Sequence, residues 1–266
     1  MAGKDYKAFI VEGEAREPLI INNIVEVFFS HVNFKIIILP AGQNIYMLWK
    51  KWKEDDFDTD IIELLRENDE LNKQLTGIAR DDFSEVYLFF DYDAHQNNLG
   101  EEDAADVLKQ MLLSFDNETE NGKLYISYPM VEALRDFEEG KCGKPECCFV
   151  AVTDMNNYKE TSANRALYKQ FKKYDITIWK YIIDVFAMRL SCLMDRKDVI
   201  SYEQYETEIS PFEIYEIEKN KIDEQGVFIL SAFPEFLLDY FGIKLWKTSV
   251  KHTGRLAIEE CKLRLG

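Results

Sequence analysis

Histidine and cysteine are scarce in this chain of 266 residues, and that scarcity narrows its chemistry at once. Only His31, His95 and His252 are present. The five cysteines, Cys142, Cys147, Cys148, Cys192 and Cys261, are odd in number and irregular in spacing. A disulfide framework is therefore not expected, and reduced thiols in a cytoplasmic compartment are the simpler reading. The segment "KCGKPECC" lacks both the C-x-x-C pairs and the nearby histidines that a zinc site needs. Long hydrophobic runs are also missing: no stretch approaches the roughly 18 apolar residues that cross a bilayer, so no membrane association is expected. The opening "MAGKDYKAFIVEGE" lacks the basic, apolar and small-residue regions of a signal peptide. Basic residues are outnumbered, with a formal charge of −17. That balance argues against passive nucleic-acid binding, which neutralises phosphates with excess Lys and Arg. An enzyme acting on nucleic acid stays open, because carboxylate-bound cations or a local patch such as "KQFKKYD" supply positive charge where it is needed.

Apolar residues make up 47% of the chain, enough for a substantial core. Short apolar runs at 7–11, 34–40, 86–90 and 123–129 read as buried strands. Helical patterns separate them: "REPLIINNIVEVFFSHV" with Pro18 in its first turn, "NIYMLWKKWK", "DTDIIELLRENDELNKQL" capped by Asp58 or Thr59, and 101–115. Strand and helix in alternation predict an α/β fold, a doubly wound and mainly parallel sheet covered on both faces. Beyond it, Met130 to Phe137 reads as a short helix, 147–152 as a further strand and 176–194 as a long apolar helix. The remainder reads as mainly helical. The expected organisation is an α/β domain over 1–150 and a mainly helical region over 151–266. The aromatic set "SAFPEFLLDYFGIKLW" is read as a packing surface or a homo-oligomer or partner surface, because no basic residues interleave with its rings as base stacking requires.

Two of the strands end on acids. "FIVEGE" runs into Glu12 and Gly13, and "VYLFFDYD" ends in Asp91 and Asp93; Glu132 follows the fourth strand. Ligands gather at the carboxyl ends of parallel strands, so these acids map to the functional edge of the sheet. If the pleat continues, Asp91 and Asp93 face one side and Tyr92 the other. Hard oxygen donors converging from separate strands suit Mg²⁺ or Mn²⁺, and with them phosphoryl-transfer chemistry. Glu14 and Glu17 read as charges favoured near the start of the next helix. His95 reads as a surface histidine with a weaker role beside Asp93 in placing water or phosphate. Lys159 and Arg165 read as a solvated face or as phosphate contacts.

Through "FIVEGE" and "VYLFFDYD" the sequence resembles the Toprim family, whose pattern is an apolar strand ending in Glu-Gly followed by one ending in Asp-x-Asp. The resemblance covers residues 7–95 and extends toward 140 through the alternating strands. It implies a Rossmann-like sheet, Glu12 as a catalytic or metal-binding carboxylate, Asp91 and Asp93 as metal ligands, and Gly13 as the small residue beside the metal. A second segment, "YISYPMVEALRDF", resembles the Ser-x-Pro-x-x-Glu stretch of small Toprim-like abortive-infection and anti-phage defence proteins. Here Tyr128 fills the variable slot between Ser127 and Pro129, and Glu132 the acidic slot. That resemblance implies a stand-alone or ATPase-partnered nuclease cutting phage DNA or, in some systems, host transfer RNA.

The topoisomerase branch of the family is disfavoured because the chain has no room for gate domains, and primase because no zinc-binding domain is evident. Three readings follow: a Mg²⁺- or Mn²⁺-dependent endonuclease using Glu12, Asp91, Asp93 and Glu132; a non-catalytic Toprim-like sensor held by an ATPase partner; and a haloacid-dehalogenase-like phosphatase built on "FFDYDAH". The last leaves Glu12 unused, and Ala94 and His95 stand where that family usually places Thr or Val.

Overall fold

A computed structural model describes residues 6–92, 103–136, 148–221 and 226–251. The chain divides into two compact units, 1–125 and 126–266.

In the first unit, β1 (Tyr6–Val11), β2 (Lys35–Pro40), β3 (Phe83–Asp91), β4 (Asp116–Asn117) and β5 (Gly122–Ser127, whose last two residues belong to the second unit) form one sheet in the order β2-β1-β3-β5-β4. β1 is parallel to both β2 and β3, while β4 is antiparallel to β5. The fold is thus α/β with a mainly parallel sheet, as the alternation predicts. The two-residue antiparallel edge was not anticipated, being too short to leave a periodic signal. Ala8 to Val11 and Val86 to Phe90 are buried without interruption. Successive side chains in a strand point to opposite faces, so unbroken burial means that both faces of these central strands are covered.

Helix α1 (Arg16–Phe28) buries Ile20, Ile21 and Ile24 and packs on β1 and β2. Helix α2 (Ile45–Glu54) turns Trp49 and Trp52 inward, where the ring of Trp52 stacks on Phe115 with centroids 4.8 Å apart. The segment read as one helix over "DTDIIELLRENDELNKQL" is two, α3 (Ile61–Leu65) and α4 (Asp69–Gln74). Asn68 breaks it, because its side chain accepts the N–H groups of Glu70 and Leu71 and begins a new helix. The first piece is capped by Asp60, not Asp58 or Thr59; Asp60 Oδ1 accepts the Ile62 N–H at 2.8 Å. Asp103 likewise caps α5 (Ala104–Ser114).

The second unit is mainly helical. The short helix expected after β5 is a single 3₁₀ turn, Val131–Leu134. The strand expected at 147–152 appears as β6 (Phe149–Ala151), which pairs antiparallel with β7 (Gly226–Phe228) in a separate ribbon. A Cβ on Gly226 would lie 2.1 Å from the Phe149 ring and 2.4 Å from the Val150 carbonyl oxygen, so only glycine fits there. Between the two strands come α6 (Tyr158–Arg165), α7 (Ile176–Leu193), α8 (Tyr202–Glu208) and α9 (Pro211–Lys221), and after them α10 (Ala232–Ser249), bent at Gly242. Helices α7 and α10 pack against each other. Phe233, Phe236, Leu237 and Leu238 are thereby interior, which fulfils the packing reading of the aromatic segment. Among the described residues, no helix is long and apolar enough to cross a membrane.

Candidate functional site

The connection from β1 to β2 leaves on one side of β1, and the chain then returns to place β3 on the other. The crevice between the carboxyl ends of β1 and β3 is therefore the point where strand order reverses, the place where open α/β sheets bind ligands. Val11 stands opposite Phe89, and β3 runs two residues further, to Asp91, beside the turn that follows β1.

Glu12 is the first residue past β1, and its backbone is held from both sides. Its N–H donates to the Phe89 carbonyl of β3 at 3.2 Å, and its carbonyl accepts from Gly42, just past β2, at 3.1 Å. Glu12 Oε2 accepts the backbone N–H of Asp91 at 3.2 Å. One carboxylate thus bridges the ends of two neighbouring strands and lies against the residue that carries the second. Both Glu12 and Asp91 are half-buried, shielded by the strand ends yet open to solvent. The structure brings these two predicted site residues together. Asp93 and His95 lie outside the described residues, as do Cys142, Cys147, Cys261 and His252. β3 ends at Asp91 itself, so the strand alternation expected to carry on through Asp93 stops inside the described chain before that residue.

A third carboxylate completes this edge. Glu17 sits in the first turn of α1, is only 7% exposed, and accepts the Gly13 N–H on Oε1 at 3.3 Å. A Cβ at position 13 would lie 2.9 Å from Glu17 Oε2, so Gly13 makes room for this side chain in the turn. The sequence reading placed Glu17 correctly as an acid favoured by the helix N-terminus but missed its support of the Glu12–Gly13 turn. The glycine four residues before an acid in a helix's first turn was the available signal.

The remaining candidates lie in the second unit. Glu132 occupies the 3₁₀ turn and is fully buried. Lys159 is exposed on α6, and its carbonyl accepts from Arg135 at 3.0 Å. Arg165 pairs with the buried carboxylate of Asp136 at 2.6 Å. Burial, reinforced by Asp136, pushes the Tyr158 phenol well above its usual range beside this pair. Arg189 is buried and donates to the carbonyls of Asp136 and Ile229. Arg165 is therefore engaged in the interior network of its own unit.

The donors at the β1/β3 crevice are carboxylate oxygens, the type that hard divalent cations take. Among the described residues, no group of three or more His, Cys, Asp or Glu is arranged to hold a metal ion; two of the expected donors, Glu12 and Asp91, are in place. Compared with known proteins, the chain matches no family model, no curated protein and no solved structure.

Proposed function

We propose that the chain is a Mg²⁺- or Mn²⁺-dependent endonuclease of Toprim type that hydrolyses phosphodiester bonds in DNA or RNA and serves as an effector of anti-phage defence. The observation that carries this reading is the Glu12 carboxylate held on the Asp91 N–H at the strand-order switch point. Glu12 and Asp91 would hold the divalent cation, whose chemistry would be to lower the pKa of a bound water and offset charge on a phosphate. The Asp-x-Asp pattern of the sequence adds Asp93, outside the described residues, as a candidate donor. Glu12 also suits a general base, since a half-buried carboxylate one water away from a phosphate accepts a proton readily. The Asp91 N–H on Oε2, together with a backbone held on both neighbouring strands, orients the Glu12 carboxylate in advance and lowers its ordering cost. Glu132 has a supporting role in this reading.

The test incubates wild-type protein, Glu12→Ala and Asp91→Ala with plasmid DNA and total transfer RNA in Mg²⁺, Mn²⁺ or chelator. Cleavage that needs metal and vanishes in both variants is the expected result, and the substrate cut assigns DNA or RNA. Equal cutting by wild type and both variants overturns the proposal. Absence of cutting by wild type, with or without an ATPase partner, moves the reading to a non-catalytic sensor.

A further inference from the structure

A basic stretch of this acidic chain, 159–174, is folded back on itself in the second unit by its contacts with Arg135. From Lys159 to Tyr174 there are five basic side chains, Lys159, Arg165, Lys169, Lys172 and Lys173, and one acid, Glu160. Arg165 is committed to Asp136. The other four are exposed, and among the described residues none of the four ammonium groups is in an ion pair. Arg135 joins the two ends of the stretch: it donates to the Lys159 carbonyl at 3.0 Å and sets its guanidinium 5.8 Å from the centre of the Phe171 ring. Phe171, Lys172 and Lys173 form one 3₁₀ turn, closed onto the preceding segment by the Tyr174 hydroxyl donating to the Tyr168 carbonyl at 2.9 Å. Phe171 and Tyr174 are buried, so the aromatics interleaved with these lysines anchor the loop and leave the ammonium groups outward.

We infer that Lys159, Lys169, Lys172 and Lys173 form a docking surface for the sugar-phosphate backbone of the nucleic acid. This rests on the nuclease reading for its biological sense but not for its measurement. Four unpaired cations in a chain of net charge −17 would be pointless as a source of solubility, which the acids already provide, whereas they match a polyanion. Phe171 and Tyr174 are buried away from a ligand and only Tyr168 is half-exposed beside Lys169, so the contact is mainly electrostatic and tolerant of sequence.

The experiment measures binding of a fluorescein-labelled 20-nucleotide single strand, the matching duplex and transfer RNA in EDTA, at several salt concentrations, for wild type and for Lys169→Gln/Lys172→Gln/Lys173→Gln. A control variant, Lys50→Gln/Lys73→Gln/Lys197→Gln, removes the same charge from exposed positions elsewhere. The surface predicts that the log-affinity against log-salt slope flattens by about two to three in the first variant, because each phosphate contact contributes roughly 0.7 to 0.9. The control should keep the wild-type slope. An equal loss in both variants overturns the proposal by showing only a net-charge effect, as does an unchanged slope in the first. So does binding of phosphatidylserine vesicles that is lost in the first variant while oligonucleotide binding stays intact. If the salt slope behaves as predicted yet no protein cuts in metal, the surface stands and the nuclease reading falls.

Discussion

The two units treat their ionisable side chains in opposite ways. In the first, the described chain buries few charged groups: Lys7, which pairs with Glu85 and lies over the Phe34 ring, and Glu17 beside Gly13. Its site carboxylates stay half-exposed at strand ends. The second unit takes Glu132, Asp136, Asp184, Arg189, Glu218 and Glu235 into its interior. A charge at a strand end keeps its water and its reactivity, whereas a charge in a helical core must find partners or give up ionisation. The first unit presents its acids to solvent, and the second encloses them.

Removing presented acids should change chemistry without changing stability. Glu12→Ala and Asp91→Ala are expected to lower metal-dependent cleavage by about a thousandfold, the scale of a lost general base or ligand, with melting temperatures near wild type. A large fall in melting temperature in either would break the comparison. Removing an interior acid should do the reverse. Asp136→Ala takes away the carboxylate that Arg165 pairs with, while the Arg189 bond to the residue 136 carbonyl is kept, and should cost about 2–3 kcal/mol in urea unfolding; a loss below about 1 kcal/mol would show that the pair contributes little.

Glu218 sharpens the contrast through pH. Burial pushes its carboxyl up to about 7, only partly offset by the Phe228 N–H it accepts. The native state therefore holds a proton that the unfolded chain releases near pH 4.5. Stability from this group is fully present below about pH 4.5 and is lost as pH rises through about 7. Above that the loss amounts to about 3 kcal/mol by the usual 1.36 kcal/mol per unit. Glu218→Gln keeps an acceptor for Phe228 and should raise the melting temperature at pH 8 but not at pH 4. Equal shifts at both values would contradict the assignment. The smallest effect is expected at Gly13→Ala. The added Cβ displaces the Glu17 carboxylate and its bond to Gly13, costing about 1 kcal/mol of stability, while the turn beneath Glu12 loosens and turnover falls severalfold. A variant with wild-type turnover would remove Glu17 and Gly13 from the positioning of the site.

The first unit was largely legible in the sequence because its strands are continuous apolar runs broken by strong punctuation, and because acids at the ends of such runs stand out. The alternation placed Glu12 and Asp91 on one edge of the sheet, but their meeting depends on β1 lying beside β3, an order that alternation alone does not specify. Smaller features escaped because they depend on single side chains: Asn68 restarting a helix, Asp60 outcompeting Asp58 and Thr59 as a cap, and two residues of β4 extending the edge. In the second unit, Asp184 and Arg189 read as interruptions in an apolar helix. Nothing in periodicity distinguishes a charge facing water from one facing Asp136 or the Lys251 N–H, which Asp184 accepts at 2.9 Å. A partner distant in sequence decides that, and the 3.6-residue pattern carries no record of it.

The ribbon formed by β6 and β7 sets a limit of another kind. Two strands alone are a marginal assembly, and this pair is three residues long on each side. A library randomised at position 226 and selected for folded protein should return glycine alone, since even alanine would collide with both a ring and a carbonyl. The residue with the least chemistry in the chain would then be among the hardest to replace, and diversification of the second unit would have to proceed around it.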